Sequence, residues 1–229
     1  MKLSTIPYNK DRAAELTERL IADPRSPLAG RLMNDLLTEF HRGYPLENLH
    51  LFLKNTNTEL VKIGAWIASE LGEKGKVLLD DISFLLFHPE SRIRFSAIDC
   101  LLLWADPSNG AELALVVKLI EDPESRVRWK VMDFLSRATR EQLSATLAYL
   151  KKADPQSRNI QGLQLLLAPE ADSAREAIAA LRDQDAVMRK YGVVLARRIA
   201  EIEKYPLSYA ASINDMDVKD FADTSISLL

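Results

Sequence analysis

Few side chains of this sequence could take part in bond-making chemistry. No two of the three histidines, His41, His50 and His88, have the spacing of metal ligands. The only cysteine, Cys100, lies in an apolar run, which favours a packed thiol and excludes an intrachain disulfide. Residues 72–76 fail as a phosphate-binding loop, because the first glycine and the final serine or threonine of that pattern are missing. We therefore expect no catalytic residue, no metal and no cofactor, and a protein that is not an enzyme.

One helical face nevertheless combines aromatic, acidic and basic side chains. A helix turns by about 100° per residue, so Trp129 and Asp133 lie together, opposite the apolar side of their helix. Phe95 and Asp99 have the matching positions 34 residues earlier. Helices stacked side by side would join such residues into a stripe, which we expect to be Ile63, Phe95, Trp129 and Gln161. The candidate partner-binding residues are Arg92, Phe95, Asp99, Arg126, Trp129, Asp133 and Arg158. The alternative is that the rings pack between neighbouring helices and the charged groups pair with each other.

An internal repeat positions this face. Residues 88–102 and 122–136 are identical at seven of fifteen positions. Proline disfavours the helical region for the residue before it and suits the first turn of the next helix, so a recurring proline marks a corner between two helices. The corner prolines are Pro24, Pro89, Pro123 and Pro155, separated by 65 residues (two repeats), 34 residues and 32 residues. Residues 55–62 take the place of the skipped corner.

Between the corners, apolar residues recur with the spacing of helices, and a capping-box sequence begins at Thr139. The predicted pairs are 10–22 with 27–42, 45–54 with 57–71, 75–87 with 90–105, 108–120 with 124–138, 140–151 with 155–168, and 171–181 with 184–203. The predicted fold class is all-α, a right-handed α-solenoid of about six antiparallel helix pairs in one domain, residues 1–204. Residues 205–229 are predicted to be an acidic C-terminal tail, either a short helix or a loose end.

The corners resemble those of the HEAT-repeat family, in which an aspartate in the turn is followed six residues later by an arginine. The matching pairs are Asp122 with Arg128 and Asp183 with Arg189, whereas His88 replaces the aspartate before Arg94 and Ile160 replaces the arginine after Asp154. The resemblance covers nearly 190 residues. It implies a HEAT-like solenoid in which these aspartates and arginines form a ladder through the stack.

A second resemblance concerns Trp129 and Asp133 alone. Their spacing is similar to that of a tryptophan and an aspartate in HEAT-like alkylpurine DNA glycosylases. That resemblance implies that Trp129 shelters a lesion and that Asp133 supports bond cleavage. However, the formal charge of −3 lies entirely in residues 205–229, which leaves residues 1–204 neutral. Affinity for duplex DNA comes largely from neutralising phosphates, so we do not expect a nucleic-acid partner.

The remaining hypothesis is a non-catalytic protein-binding module whose concave face, lined by the second helices, holds a protein partner. Small all-α cytosolic proteins that resemble this one serve as immunity partners of bacterial polymorphic toxins. This similarity implies tight one-to-one binding to a toxin domain, with the aspartates of the stripe and of the tail meeting a basic surface. A scaffold, an assembly factor and a purely structural spacer are the open alternatives. No apolar stretch has the length of a membrane span or of a signal peptide, so we expect a cytoplasmic protein.

Overall fold

The computed structural model describes residues 7–169 and 172–229. Within these two ranges the regular elements are fourteen α-helices and short 3₁₀ segments, and no strand occurs. The prediction of an all-α fold is therefore confirmed. The chain forms two compact units, of which the first ends at Trp104 and the second begins at Ala105. No helix in the described ranges is long and apolar enough to cross a membrane.

The first unit contains three helix pairs. Its helices are α1 (Lys10–Ala22), α2 (Ala29–His41), α3 (His50–Leu53), α4 (Thr58–Glu70), α5 (Leu79–Leu85) and α6 (Ser91–Trp104). The second helix of the middle pair, α4, packs against α2, α3 and α6. The apolar core of this unit includes Leu20, Phe40, Phe52, Ile67, Ile82 and Trp104. The buried thiol of Cys100 belongs to this core, as its apolar neighbours predict.

The second unit contains three further pairs and two additional helices. Its helices are α7 (Gly110–Lys118), α8 (Ser125–Arg137), α9 (Arg140–Ala153), α10 (Asn159–Leu167), α11 (Ser173–Leu181), α12 (Ala186–Arg198), α13 (Tyr205–Ala210) and α14 (Met216–Ser227). The last second helix, α12, packs against both α10 and α8. The six predicted helix pairs are therefore present. The predicted start of the eleventh helix, residue 171, lies outside the described residues.

The helix corners share one hydrogen-bonded turn. At three of them the side chain of the corner residue accepts the N–H two residues later: His88 from Glu90 (3.0 Å), Asp122 from Glu124 (2.9 Å) and Asp183 from Asp185 (2.8 Å). The arginine six residues after each corner residue donates hydrogen bonds from Nη1 to two backbone carbonyls of the corner. Arg94 binds the carbonyls of His88 and Pro89, and Arg128 binds those of Asp122 and Pro123. Arg189 binds those of Asp183 and Gln184. The six-residue spacing in the sequence thus has a local physical cause.

The corner prolines mark the predicted places, but they precede the helices. Pro123 lies two residues before the start of α8 at Ser125, and Pro89 lies two residues before the start of α6 at Ser91. The prolines therefore lie just before the helix and not, as the sequence predicts, in its first turn. The reason is that the bond from the corner side chain to the backbone N–H closes the turn before the helix begins.

Two glycines allow aromatic rings to pack against the backbone. A Cβ atom on Gly75 would lie 2.0 Å from the Trp104 ring, and one on Gly162 would lie 2.1 Å from the Tyr191 ring. The buried Tyr191 hydroxyl donates to Asn159 Oδ1 at 3.0 Å, and burial raises the pKa of Tyr191 well above its ordinary value. Each ring thereby fixes the distance between neighbouring helices.

Residues 205–229 are part of the second unit rather than separate from it. They form α13 and α14, which pack against α12, and α14 also packs against α8. Along α14, Val218, Phe221 and Ala222 are buried at the spacing i, i+3, i+4, which gives the helix an apolar side. The unit boundary therefore falls after Trp104, whereas the sequence placed a domain boundary after residue 204.

Candidate partner-binding surface

In the first unit, the candidate residues lie on α6. Arg92 is exposed, and Phe95 and Asp99 are half-buried on the side of the helix away from its core residues. Ile63 of α4, expected in the same stripe, is only 4% exposed. That part of the stripe prediction was wrong, because α4 is enclosed by neighbouring helices on most of its surface.

In the second unit, Asp133 and Arg158 are held by ion pairs within the chain. Asp133 accepts Lys130 Nζ at 3.0 Å and Arg137 Nη1 at 3.3 Å. The exposed guanidinium of Arg158 joins the carboxylates of Glu121 and Asp185. Arg126 and Gln161 are exposed. These pairs correspond to the alternative reading, in which the charged residues of the stripe stabilise the repeats.

Trp129 is half-buried, and the protein itself covers part of it. Its ring lies 5.8 Å, centroid to centroid, from the ring of Phe221 on α14, with the ring planes at 59°. This tilted arrangement is favourable for two aromatic rings and adds about 0.5–1.5 kcal/mol beyond the burial of area. The candidate face of α8 therefore holds a helix of the same chain.

Carboxylates of the C-terminal segment flank this aromatic contact. Asp217 accepts two hydrogen bonds of 2.7 Å from Nε and Nη2 of Arg128, and Lys190 Nζ lies 3.5 Å from the same carboxylate. Asp215 accepts Nε of Arg189 at 2.8 Å. We define the docking surface as Arg128 and Trp129 of α8 together with Arg189 and Lys190 of α12.

The electrostatics of this contact favour the charged forms. Burial acts to raise the pKa of Asp217, but the hydrogen bonds and charges of Arg128 and Lys190 outweigh it, so the pKa lies below its ordinary value. The hydrogen bond to Asp217 raises the pKa of Arg128, against the opposing effect of burial. Asp217 is therefore ionised, and Arg128 charged, at neutral pH.

The corner turns explain why these arginines face α14. Nη1 of Arg128 and Nη1 of Arg189 are each bound to two carbonyls of their own corner, at 2.7–3.0 Å. This fixes the guanidinium planes, and the edges that carry Nε point to the carboxylates of α14. The bidentate geometry at Asp217 is the strongest that an arginine and a carboxylate can form.

The sequence indicates Arg128 and Arg189 as corner residues and Trp129 as a surface residue, but it does not indicate their partners in α14. In the sequence, Asp215, Asp217 and Phe221 belong to the acidic C-terminal tail, predicted to be a short helix or a loose end. The signal for α14 was present in residues 216–227, where apolar side chains recur at helical spacing behind Asp215, whose side chain accepts the N–H of Val218 at 3.3 Å. Nothing in that pattern names the helices against which α14 packs.

An open groove of about 780 Å³ includes part of the docking surface. Its lining is charged with both signs, and includes Glu121, Arg128, Arg158, Asp185, Lys190 and Asp217. No group of three or more potential metal-ligating residues occurs in the described parts of the chain. The groove is thus a polar surface between helix corners, and its carboxylates are engaged by arginines or by backbone N–H groups.

Comparisons with known proteins identify the fold. The crystal structure of an engineered protein has a TM-score of 0.52 at 14% identity, over 96% of each chain. A designed armadillo repeat protein, in complex with the peptide (KR)4, has a TM-score of 0.51 at 13% identity, over 93% of this chain and 97% of that chain. The fold is that of an α-helical repeat protein. No family model and no curated protein matches the sequence. The solenoid class predicted from the sequence is confirmed, and the HEAT type of this helical-repeat chain stays a prediction.

Proposed function

We propose that this helical-repeat chain, of the HEAT type, is a non-catalytic protein-binding module that uses the exposed face of its second helices. One observation carries the proposal. A helical segment, α14, already lies on that face in the second unit, where Trp129 contacts Phe221 and Arg128 binds Asp217. The side chains of this face therefore have the shape and charge to bind a polypeptide.

The residue types support this proposal. Tryptophan and arginine are the side chains that most often dominate the free energy of protein–protein binding. The corresponding residues of the first unit, Arg92, Phe95 and Asp99, lie on α6, and Arg92 is exposed. The designed armadillo repeat protein with a similar fold is in complex with the peptide (KR)4. We propose by analogy that the α6 face binds a segment of a partner protein.

The most specific form of this proposal is a cytoplasmic immunity-type protein that neutralises a cognate toxin by tight binding. The sequence predicts that the aspartates of the tail meet a basic toxin surface. In the structure, Asp215 and Asp217 bind Arg189 and Arg128 of the same chain. Contacts with such a toxin would therefore centre on α6, with Phe95 as the aromatic anchor and Arg92 at its edge.

The glycosylase alternative gains no support from the site. Trp129 packs against Phe221, and Asp133 is bound by Lys130 and Arg137, so neither side chain is presented to a base. The scaffold and assembly-factor alternatives differ from the toxin hypothesis only in the partner, and they use the same face.

Site-specific photo-crosslinking in the cells that make this protein tests the proposal. A photoreactive amino acid is placed at Phe95 in one variant and at Phe84 in the other. Phe84 lies on α5 of the same unit and is 77% exposed, so random collisions would label it at least as strongly as Phe95. We expect one discrete crosslinked protein from position 95 and none from position 84. Equal labelling at both positions, or none at position 95, contradicts the proposal.

A further inference from the structure

We propose that the docking surface accepts an acidic amphipathic helix of a partner protein in exchange with α14. The inference rests on the proposed function and adds the chemistry of the partner. The segment that occupies the surface supplies the pattern, in which two carboxylates two residues apart, Asp215 and Asp217, are followed four residues later by the ring of Phe221. A partner helix that keeps this spacing, with its first carboxylate at the extended residue before the helix as for Asp215, would place its groups on Arg189, Arg128 and Trp129.

The two guanidinium groups of the docking surface have contacts that do not involve α14. Four hydrogen bonds to corner carbonyls hold the guanidinium groups of Arg128 and Arg189, and none of the four involves the C-terminal segment. The third cation, Lys190, is buried and pairs with Asp217 of α14, so it adds positive charge to the surface. If α14 departed, the guanidinium groups of Arg128 and Arg189 would keep their positions and could bind other carboxylates. Such preorganisation lowers the cost of binding.

The helix α14 can detach from α8 and α12 by local unfolding, because little of it is buried. It is the second of two helices that follow the three helix pairs of the second unit. Of its twelve residues only Val218, Phe221, Ala222 and Ser225 are buried, while Met216 and the following Leu228 are each 73% exposed. Elements with few buried apolar side chains open at lower free energy than the core.

The covalent link between α14 and α13 determines how the exchange of α14 for a partner helix can be measured. Because α14 is joined to α13 by a short turn, its effective concentration at the docking surface is on the order of millimolar or higher. A short free peptide of the same sequence therefore competes poorly with the native chain. A partner succeeds when it forms additional contacts elsewhere, and charge reversal on α14 removes the internal competitor.

The test uses a fluorescently labelled peptide of residues 213–229 and the full-length chain. The release variant carries Asp215→Lys and Asp217→Lys. The matched control carries Asp220→Lys and Asp223→Lys, an equal charge change on the exposed side of α14. By fluorescence anisotropy we expect the peptide to bind the release variant at least tenfold more tightly than it binds the wild type or the control. The same peptide carrying Asp217→Lys should lose this binding.

Two outcomes overturn the inference. One is equal peptide affinity for the release and control variants, with both folded by circular dichroism. The other is loss of cooperative unfolding in the release variant, which would make α14 an integral part of the fold. Neither outcome changes the crosslinking at Phe95, which lies on α6 in the other unit, so failure of this inference is distinguishable from failure of the proposed function.

Discussion

Arg128 binds both carboxylate oxygens of Asp217, at 2.7 Å each, although 89 residues separate the two in sequence. The pair joins a repeat helix, α8, to the terminal helix, α14. It places the acidic C-terminal segment, residues 205–229, on the face that holds Trp129. Trp129, one of the candidate partner-binding residues, thus contacts the C-terminal segment of its own chain.

Replacing Asp217 by Asn should loosen α14. The variant keeps the shape of the side chain but loses a charge-assisted, two-point contact, so we expect a loss of about 1.5–3 kcal/mol in the free energy of unfolding. Hydrogen–deuterium exchange should become faster in residues 216–227 and stay unchanged in α9. Asp223→Asn is the control, since its pair with Lys219 is exposed and within one helix. It should change stability by less than about 0.5 kcal/mol.

The first unit should lose stability as the pH falls below about 6.5, the ordinary pKa of histidine. Burial lowers the pKa of His88, an effect that the Glu90 charge opposes and the Arg94 charge reinforces. Its neutral Nδ1 accepts the Glu90 N–H at 3.0 Å, so the folded state favours the unprotonated ring. This contribution is fully present above the ordinary pKa and is lost as the pH falls through the lowered one.

The variant His88→Asp isolates this effect. Asp122 makes the same bond in the next repeat, at 2.9 Å from the Glu124 N–H, and a carboxylate stays ionised down to about pH 4. Urea unfolding at pH 7.5 and pH 5.5 should show a smaller loss of stability for the variant than for the wild type. Identical losses would show that His88 is not the titrating group.

Gly162→Ala should be costly because the added methyl group meets the buried ring of Tyr191, 2.1 Å away. We expect a loss of about 1–3 kcal/mol, as for other overpacked cores, and more if the ring cannot move. Gly30→Ala is the matched control, because nothing lies within 4 Å of its added methyl group in α2. It should be neutral or raise stability by up to about 1 kcal/mol, measured by thermal or urea unfolding.

Trp129→Ala and Trp104→Ala should differ in cost. Trp104 is 1% exposed, and its indole N–H donates to the Gly72 carbonyl at 2.6 Å, so its truncation should cost about 3–5 kcal/mol. Trp129 is half-buried beside Phe221, and we expect its truncation to cost less than about 3 kcal/mol. Equal losses in urea unfolding would make Trp129 a core residue and weaken its assignment to a binding face.

The helix pairs could be predicted because their determinants are local. A corner is set by Pro123, by the side chain of Asp122 and by an arginine six residues later, all within one short stretch. The capping box predicted at Thr139 is likewise a local feature, in which Thr139 and Gln142 exchange hydrogen bonds of 3.2 Å and 2.8 Å. Signals of this range are readable without any knowledge of the tertiary structure.

The position of α14 could not be predicted because it depends on distant partners. The residues next to Asp217 in the sequence do not indicate whether its carboxylate is solvated or binds Arg128. The periodicity of Val218 and Phe221 indicates an apolar side of a helix, but not the helix against which that side packs. The burial of Ile63 could not be predicted either. Its place in the repeat indicates a surface position, but neighbouring helices enclose it.

A double-mutant cycle between Arg128 and Asp217 tests the central claim that α14 is held on the docking surface. The unfolding free energies of the wild type, Arg128→Ala, Asp217→Ala and the double variant give the coupling energy of the two side chains, and local effects of each truncation cancel. We predict a favourable coupling of about 1–3 kcal/mol, and none between Arg128 and Asp223. A coupling below about 0.5 kcal/mol for Arg128 and Asp217 would mean that α14 does not rest on α8 in solution, and would contradict the account.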